Sequence, residues 1–168
     1  MECHPRSSVR RMKITRRRGI VGICVAAAAI VPSAQGVITV NRGAAGIQLD
    51  MTKAKVRAVL GAPAATKTVK NPITGTANIH TYRGLVVHYF GGRVGTIVVT
   101  RTTEKPRRGV GVGSPEVQLR AAVGGLTCST TSGIRICSVG SFMPGTAATP
   151  FAIRGGKVWR VRIGRVID

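Results

Sequence analysis

The stretch Gly46-Ile47-Gln48-Leu49-Asp50-Met51-Thr52-Lys53-Ala54-Lys55-Val56-Arg57-Ala58-Val59-Leu60-Gly61 returns as Gly109 to Gly124 at a constant offset of 63. Gly46, Arg57, Ala58 and Gly61 meet identical residues there. Ile47, Leu49, Val56 and Leu60 meet Val110, Val112, Leu119 and Val123, so apolar character is kept in order. A second match follows at offset 64, where Gly91-Gly92-Arg93-Val94 answers to Gly155-Gly156-Lys157-Val158. Ile97 and Val99 then answer to Val161 and Ile163. Self-similarity at a fixed period is the signature of a repeat architecture. The one-residue slip belongs in a loop.

Each copy opens with a short helix. The first begins near Thr52. The second begins at Ser114-Pro115-Glu116, which reads as a hydroxyl N-cap, a proline at the first helical position and an acid at the positive helix end. Helical spacing puts Val56, Val59 and Leu60 on one face, and Leu119, Ala122 and Val123 on the other copy's equivalent. Gly61 and Gly124 read as terminators. Helices of about three turns need a sheet to pack on.

That sheet follows in both copies. Strands are expected near 65–70, 77–83, 85–90 and 94–101, then near 126–130, 134–139, 149–154 and 158–165. Alternation sends Leu85, Val87 and Tyr89 to one face and Val86, His88 and Phe90 to the other, with Phe151 and Ile153 in the places of the first set. Trp159, Val161 and Ile163 are expected opposite Arg160 and Arg162. Cys128 and Cys137 fall on either side of Ser132-Gly133 and are expected to bridge that hairpin. The fold class is therefore α+β: two tandem repeats, each a short N-terminal helix (or helix pair) on a roughly four-stranded antiparallel sheet.

The run Ile47-x-Leu49-x-Met51-Thr52-Lys53-Ala54-x-Val56-x-x-x-Leu60-Gly61-x-Pro63 resembles the helix-opening motif of two related families. One is the small outer-membrane lipoprotein of the barrel-assembly machinery. The other is the secreted β-lactamase inhibitor protein, built from two such repeats. Leu85-x-Val87-x-Tyr89 followed by Gly91-Gly92-Arg93-Val94 resembles the last hairpin of that unit. The resemblance implies helices on one face of an antiparallel sheet, and a concave opposite face that grips a protein. Asp50 stands where a glycine is usual before the Met-Thr pair, and only six aromatics are present, where an inhibitor's gripping face is rich in them. The resemblance thus implies a fold and a class of binding module, not β-lactamase as the target.

The N-terminus reads as a secretory signal over residues 1–36. Lys13, Arg16, Arg17 and Arg18 form a basic region, Gly19 to Val31 is an apolar run of 13 residues, and Ala34-Gln35-Gly36 fits a cleavage site. The run is short for a membrane span, which needs about 20 residues. Met12 makes the better start, and Cys24, inside the apolar run, reads as filler removed with the signal, with an uncleaved anchor as the alternative. Repeat 1 is then 37–101, a hinge 102–108 and repeat 2 109–168. The whole chain has 26 Lys+Arg against 5 Asp+Glu; without the signal the balance falls from +21 to +15.

Five carboxylates leave little for general acid–base chemistry, metal ligation or a nucleophile triad. The glycines of Gly109-Val110-Gly111-Val112-Gly113 suit a phosphate loop, but the third glycine of a dinucleotide pattern would fall at Ser114, and the repeat explains them as an approach to the helix. A three-residue loop centred on Gly84 would set His80 opposite His88, with Tyr82 and Phe90 beside them; two histidines without a third ligand make a contact patch rather than a metal site. No enzyme activity, metal or cofactor is expected. The expected function is an exported binding module that uses its sheet face on another secreted or envelope protein, with His80, Tyr82, His88, Phe90, Arg135, Arg160 and Arg162 as contact residues. The alternative is electrostatic binding of an anionic envelope polymer or lipid surface through Arg101, Lys105, Arg107, Arg108, Arg154 and Lys157. A specific nucleic-acid site is not expected, since stacking aromatics are scarce.

Overall fold

The computed structural model describes residues 38–72, 75–101 and 109–166. The expected signal segment, the whole 102–108 hinge with Lys105, Arg107 and Arg108, and the last two residues lie outside the described residues. A small sheet comes first, from β1 (Ile38–Thr39), β2 (Gly43–Ala44) and β3 (Ile47–Gln48). Then follow α1 (Lys53–Leu60), β4 (Ala65–Asn71), β5 (Gly75–Tyr82), β6 (Leu85–Phe90) and β7 (Arg93–Val99). The second copy holds α2 (Glu116–Ala122), β8 (Thr127–Thr131), β9 (Ile134–Gly140), β10 (Ala147–Arg154) and β11 (Lys157–Arg165). Each copy is a helix followed by a four-stranded antiparallel meander, as the repeat predicts.

The two meanders merge into one eight-stranded sheet of order β4-β5-β6-β7-β11-β10-β9-β8, every neighbouring pair antiparallel. The seam joins the last strand of each copy, with Ile97 paired to Ile163 and Val98 to Arg162. Arg162 is the counterpart of Val98 at offset 64, so a local twofold axis passes between them. A residue paired with its own repeat mate can lie only on such an axis. The outer edges are blunted: β4 carries Lys67 and Lys70, and β8 is tied to β9 by the Cys128–Cys137 disulfide between directly paired residues 4.0 Å apart at Cα.

Both helices and the small sheet cover one face. Val56, Leu119, Ala44 and Ile47 share a single core cluster with Val87, Tyr89, Val94, Ile97, Phe151, Val158, Val161 and Ile163. The helices dock identically. Asp50 N–H donates to Val94 O (2.8 Å) and Val94 N–H to Met51 O (2.9 Å); Gly113 N–H donates to Val158 O (2.6 Å) and Val158 N–H to Ser114 O (2.9 Å). Asp50 holds φ 65°, and Gly113, its counterpart at offset 63, holds φ 94°. A left-handed residue is needed there in both copies, which is the physical reason a glycine suits that place. Asp50 tolerates it, as short polar side chains do.

Several local expectations are corrected. Thr52 is the N-cap of α1 as expected, its hydroxyl accepting from Lys55 N–H at 3.4 Å. In the second copy the N-cap is Pro115, not Ser114, because extended Pro115 bridges to Lys157 and starts the helix one residue later. The Ser114 hydroxyl instead accepts from Gly111 N–H at 3.1 Å. Val59 is 40% exposed and Ala122 is exposed, since two turns present only one row to the sheet. The second helix is capped by Val123, and Gly125 rather than Gly124 has the positive φ, at 69°.

Trp159 leaves the core face. A bulge in β11 interrupts the register between Ala152 and Ile153, so Ile153 pairs with Val158 and Ala152 with Arg160. Trp159 is the extra residue, half-buried, with the Arg154 and Arg160 guanidiniums 4.7 Å and 4.5 Å from its ring. The first copy has the same bulge, with Gly95 in Trp159's place. The Phe90 ring occupies the space that a side chain at Gly95 would need, 2.5 Å from the position of a Cβ. Phe90 on Gly95 thus becomes Arg154 on Trp159.

Candidate functional site: the open sheet face

The hairpin between β5 and β6 decides which histidine reaches the open face. Its turn is the two residues Arg83-Gly84, so Tyr82 pairs with Leu85 and His80 with Val87. The three-residue loop expected from the sequence would have paired His80 with His88; one residue fewer sends the two to opposite faces. His80 and Tyr82 are therefore on the helix side. His80 meets the Tyr89 ring edge-on at 4.7 Å, and burial, with Lys53 and Arg57 nearby, holds its pKa below the ordinary value. Tyr82 and Tyr89 are both buried, and burial, with the neighbouring Tyr82 hydroxyl, holds the Tyr89 phenol well above its ordinary pKa.

Arg135 is also on the helix side. Its Nε reaches Glu116 Oε2 at 2.9 Å and its Nη2 reaches Oε1 at 2.8 Å, a two-pronged clamp that joins α2 to β9. Arg120, one turn along the helix, adds a third bond at 3.0 Å. These bonds, those from Arg135 first, hold the Glu116 carboxyl down to about 2. Glu116 is therefore more than the cap the sequence suggests: it is the hub of an ion-pair cluster. A carboxylate depressed in the folded state stabilises above its ordinary pKa, and that contribution is lost as pH falls toward 2. Glu116→Gln is expected to lower stability by about 1 kcal/mol at neutral pH and by much less at the acid end, measured by urea unfolding across that range. Glu116, Cys128 and Cys137 lie close enough together to suggest a metal site, but both sulfurs are bonded to each other and offer no thiolate.

The open face is formed at its centre by β6, β7, β11, β10 and β9. His88, Thr96, Val98, Ile136, Pro150, Ala152, Arg160 and Arg162 line a shallow hollow of about 300 Å³ there. Of the expected contact residues, His88, Phe90, Arg160 and Arg162 are on this face, and His80, Tyr82 and Arg135 are not. Burial and the charge of Arg162 hold His88 below its ordinary pKa, which favours the neutral ring at physiological pH. Beside the hollow a second one, of about 330 Å³, shares Pro150 and Arg162 and is flanked by Phe142, which is 61% exposed.

Among the described residues, no carboxylate or carbonyl engages Arg154, Arg160 or Arg162. The two described acids are occupied elsewhere: Glu116 by Arg120 and Arg135, Asp50 by Arg165. Arg101 and Lys157 are exposed at strand ends. The glycine run before α2 does not offer a free cradle, since Gly111 N–H and Gly113 N–H are both bonded within the chain. Sequence reasoning missed Thr96, Val98, Ile136, Pro150 and Ala152 as lining residues. The offset of 64 that pairs Val98 with Arg162 was the available signal.

No protein-family model matches the sequence, and no curated protein matches it. Among solved structures the chain is similar to a cysteine-rich secretory protein from Staphylococcus aureus, at 8% identity and a TM-score of 0.45. That match covers 70% of this chain and 44% of the other, so the chain spans less than half of its length.

Proposed function

We propose that this chain is an exported, non-enzymatic binding module whose open sheet face takes another secreted or envelope protein. This is the role its motifs imply through their resemblance to the inhibitor and assembly families. The observation that carries the reading is the central hollow, where Arg160 and Arg162 stand beside apolar side chains with no protein acceptor of their own among the described residues. Such groups gain most from a partner that supplies acceptors and excludes water at once. The engagement of Asp50 and Glu116 by arginines supports a structural role for these two carboxyls, since each is held ionised by its partner.

The second reading, adhesion to an anionic envelope polymer, draws on the +15 balance of the chain after its signal. Salt separates the two. Polymer binding carried by many charge contacts falls about a thousandfold between low and moderate salt. A packed protein interface keeps most of its affinity over the same change. The experiment is capture of partners from the native envelope fraction on the immobilised chain at two salt concentrations, with cross-links mapped. Protein cross-links at Arg160, Arg162 or His88 that persist in salt are the expected result. Capture that collapses with salt, or cross-links confined to the helix side, overturns it.

A further inference from the structure

The two halves of the open face share a backbone but not a chemistry. Offset 64 sets Val86 against Pro150, His88 against Ala152, Phe90 against Arg154, Thr96 against Arg160 and Val98 against Arg162. At two of these places the first copy presents a half-buried apolar side chain, Phe90 and Val98, where the second presents the exposed guanidiniums of Arg154 and Arg162; exposed Arg160 replaces buried Thr96, while Val86 keeps an apolar counterpart in Pro150. The border between them is the local twofold axis at Val98 and Arg162. Folding does not require this difference, since Thr96 and Val98 fill the same strand positions without a charge. The arginines are therefore not a requirement of the sheet.

We infer that the open face fits a protein segment that is itself two-sided, with carboxylates over β11 and apolar side chains over β6 and β7. The inference rests on the reading of this face as a protein-binding surface and names the chemistry of its partner. A uniform polyanion gains contacts with the arginines but none with Val86, Phe90 and Val98, and it leaves that apolar half facing water. A wholly apolar partner would bury guanidiniums without acceptors, which is costly. Arg160 and Arg162 leave one strand two residues apart, about 7 Å along it. An extended partner presents alternate side chains at that same pitch, so each guanidinium can take one carboxylate with two parallel bonds.

The test uses two synthetic peptides of equal length and charge. One joins alternating glutamates to a block of leucines, and the other has serine in place of each leucine. Binding to the chain is followed by amide chemical shifts at physiological salt. The leucine peptide is expected to bind at least about fivefold more tightly, perturbing β6 and β11 together, as burial of a few apolar side chains implies. Arg160→Thr with Arg162→Val, each taking the residue its repeat mate already carries, is expected to weaken both peptides about tenfold or more. Val86→Thr with Val98→Thr is expected to erase the gap between the peptides while leaving the serine peptide unchanged. Equal binding of the two peptides, binding of neither, or indifference to the arginine variant overturns the inference. Failure of the broader reading has another signature, the salt-sensitive capture or helix-side cross-links described above.

Discussion

Leu119→Ala is expected to destabilise the protein by about 3 kcal/mol, within the range for a fully buried leucine truncated in a core. Helix α2 has only seven residues, too few to stand alone in water, and Leu119 is its one buried side chain. Val117 is 72% exposed and Ala121 and Ala122 are exposed, so nothing else on the helix can take up the lost contact. The cavity opens beneath the helix that carries Glu116, so the Arg135 clamp is weakened too. Leu119→Ala and Glu116→Gln should therefore combine to less than their sum, whereas Val117→Ala should change stability by less than about 0.5 kcal/mol. Urea unfolding with an unchanged denaturant slope is the measurement. A loss under about 1 kcal/mol would mean that the backbone bonds at the helix start, Gly113 to Val158 and Glu116 to Gly156, hold the helix by themselves.

The same residue shows what could be read from the sequence. Val56 and Leu119 are counterparts at offset 63, and each is the single buried residue of its helix. The repeat keeps an apolar residue at this place in both copies, because packing on a sheet needs an apolar side chain at one fixed point. Helical periodicity alone overreached at Val59 and Ala122, since it describes a face and cannot say how much of that face a two-turn helix buries. Strand positions were legible for a similar reason: Gly91-Gly92, Ser132-Gly133 and Gly155-Gly156 mark two-residue turns that punctuate the meander. The Arg83-Gly84 turn was harder. A lone glycine fits loops of two or three residues, and the difference inverts the face of every residue in β5 relative to β6. His80 and Tyr82 were misplaced for that reason alone. Trp159 was misplaced because a bulge adds one residue to a strict alternation, with no composition mark in a copy where Gly95 is replaced by an aromatic.

The merging of the two meanders was the least visible feature, and it carries the other large expected effect. Ile97 and Ile163 face each other across the seam, and both are fully buried. Val99 and Val161, their repeat mates, form the symmetric pair. Ile97→Ala and Ile163→Ala are each expected to cost about 3 kcal/mol, and the double variant about 1 kcal/mol less than the sum, because the second truncation removes a contact already gone. Trp159 is the one tryptophan of the chain and lies in the second copy, so its fluorescence reports on that copy directly. Ile97 lies in the first. If the seam makes one cooperative unit, Ile97→Ala shifts the tryptophan transition by as much as the far-ultraviolet transition of the whole sheet. If the copies are separate units, the tryptophan midpoint stays where it was. The first outcome follows from the physics of the edge: parting the seam would expose two long hydrophobic strands, β7 and β11, with their backbone groups unpaired. It would also pull Val98 from Arg162, and with them the border on which a two-sided partner has to sit.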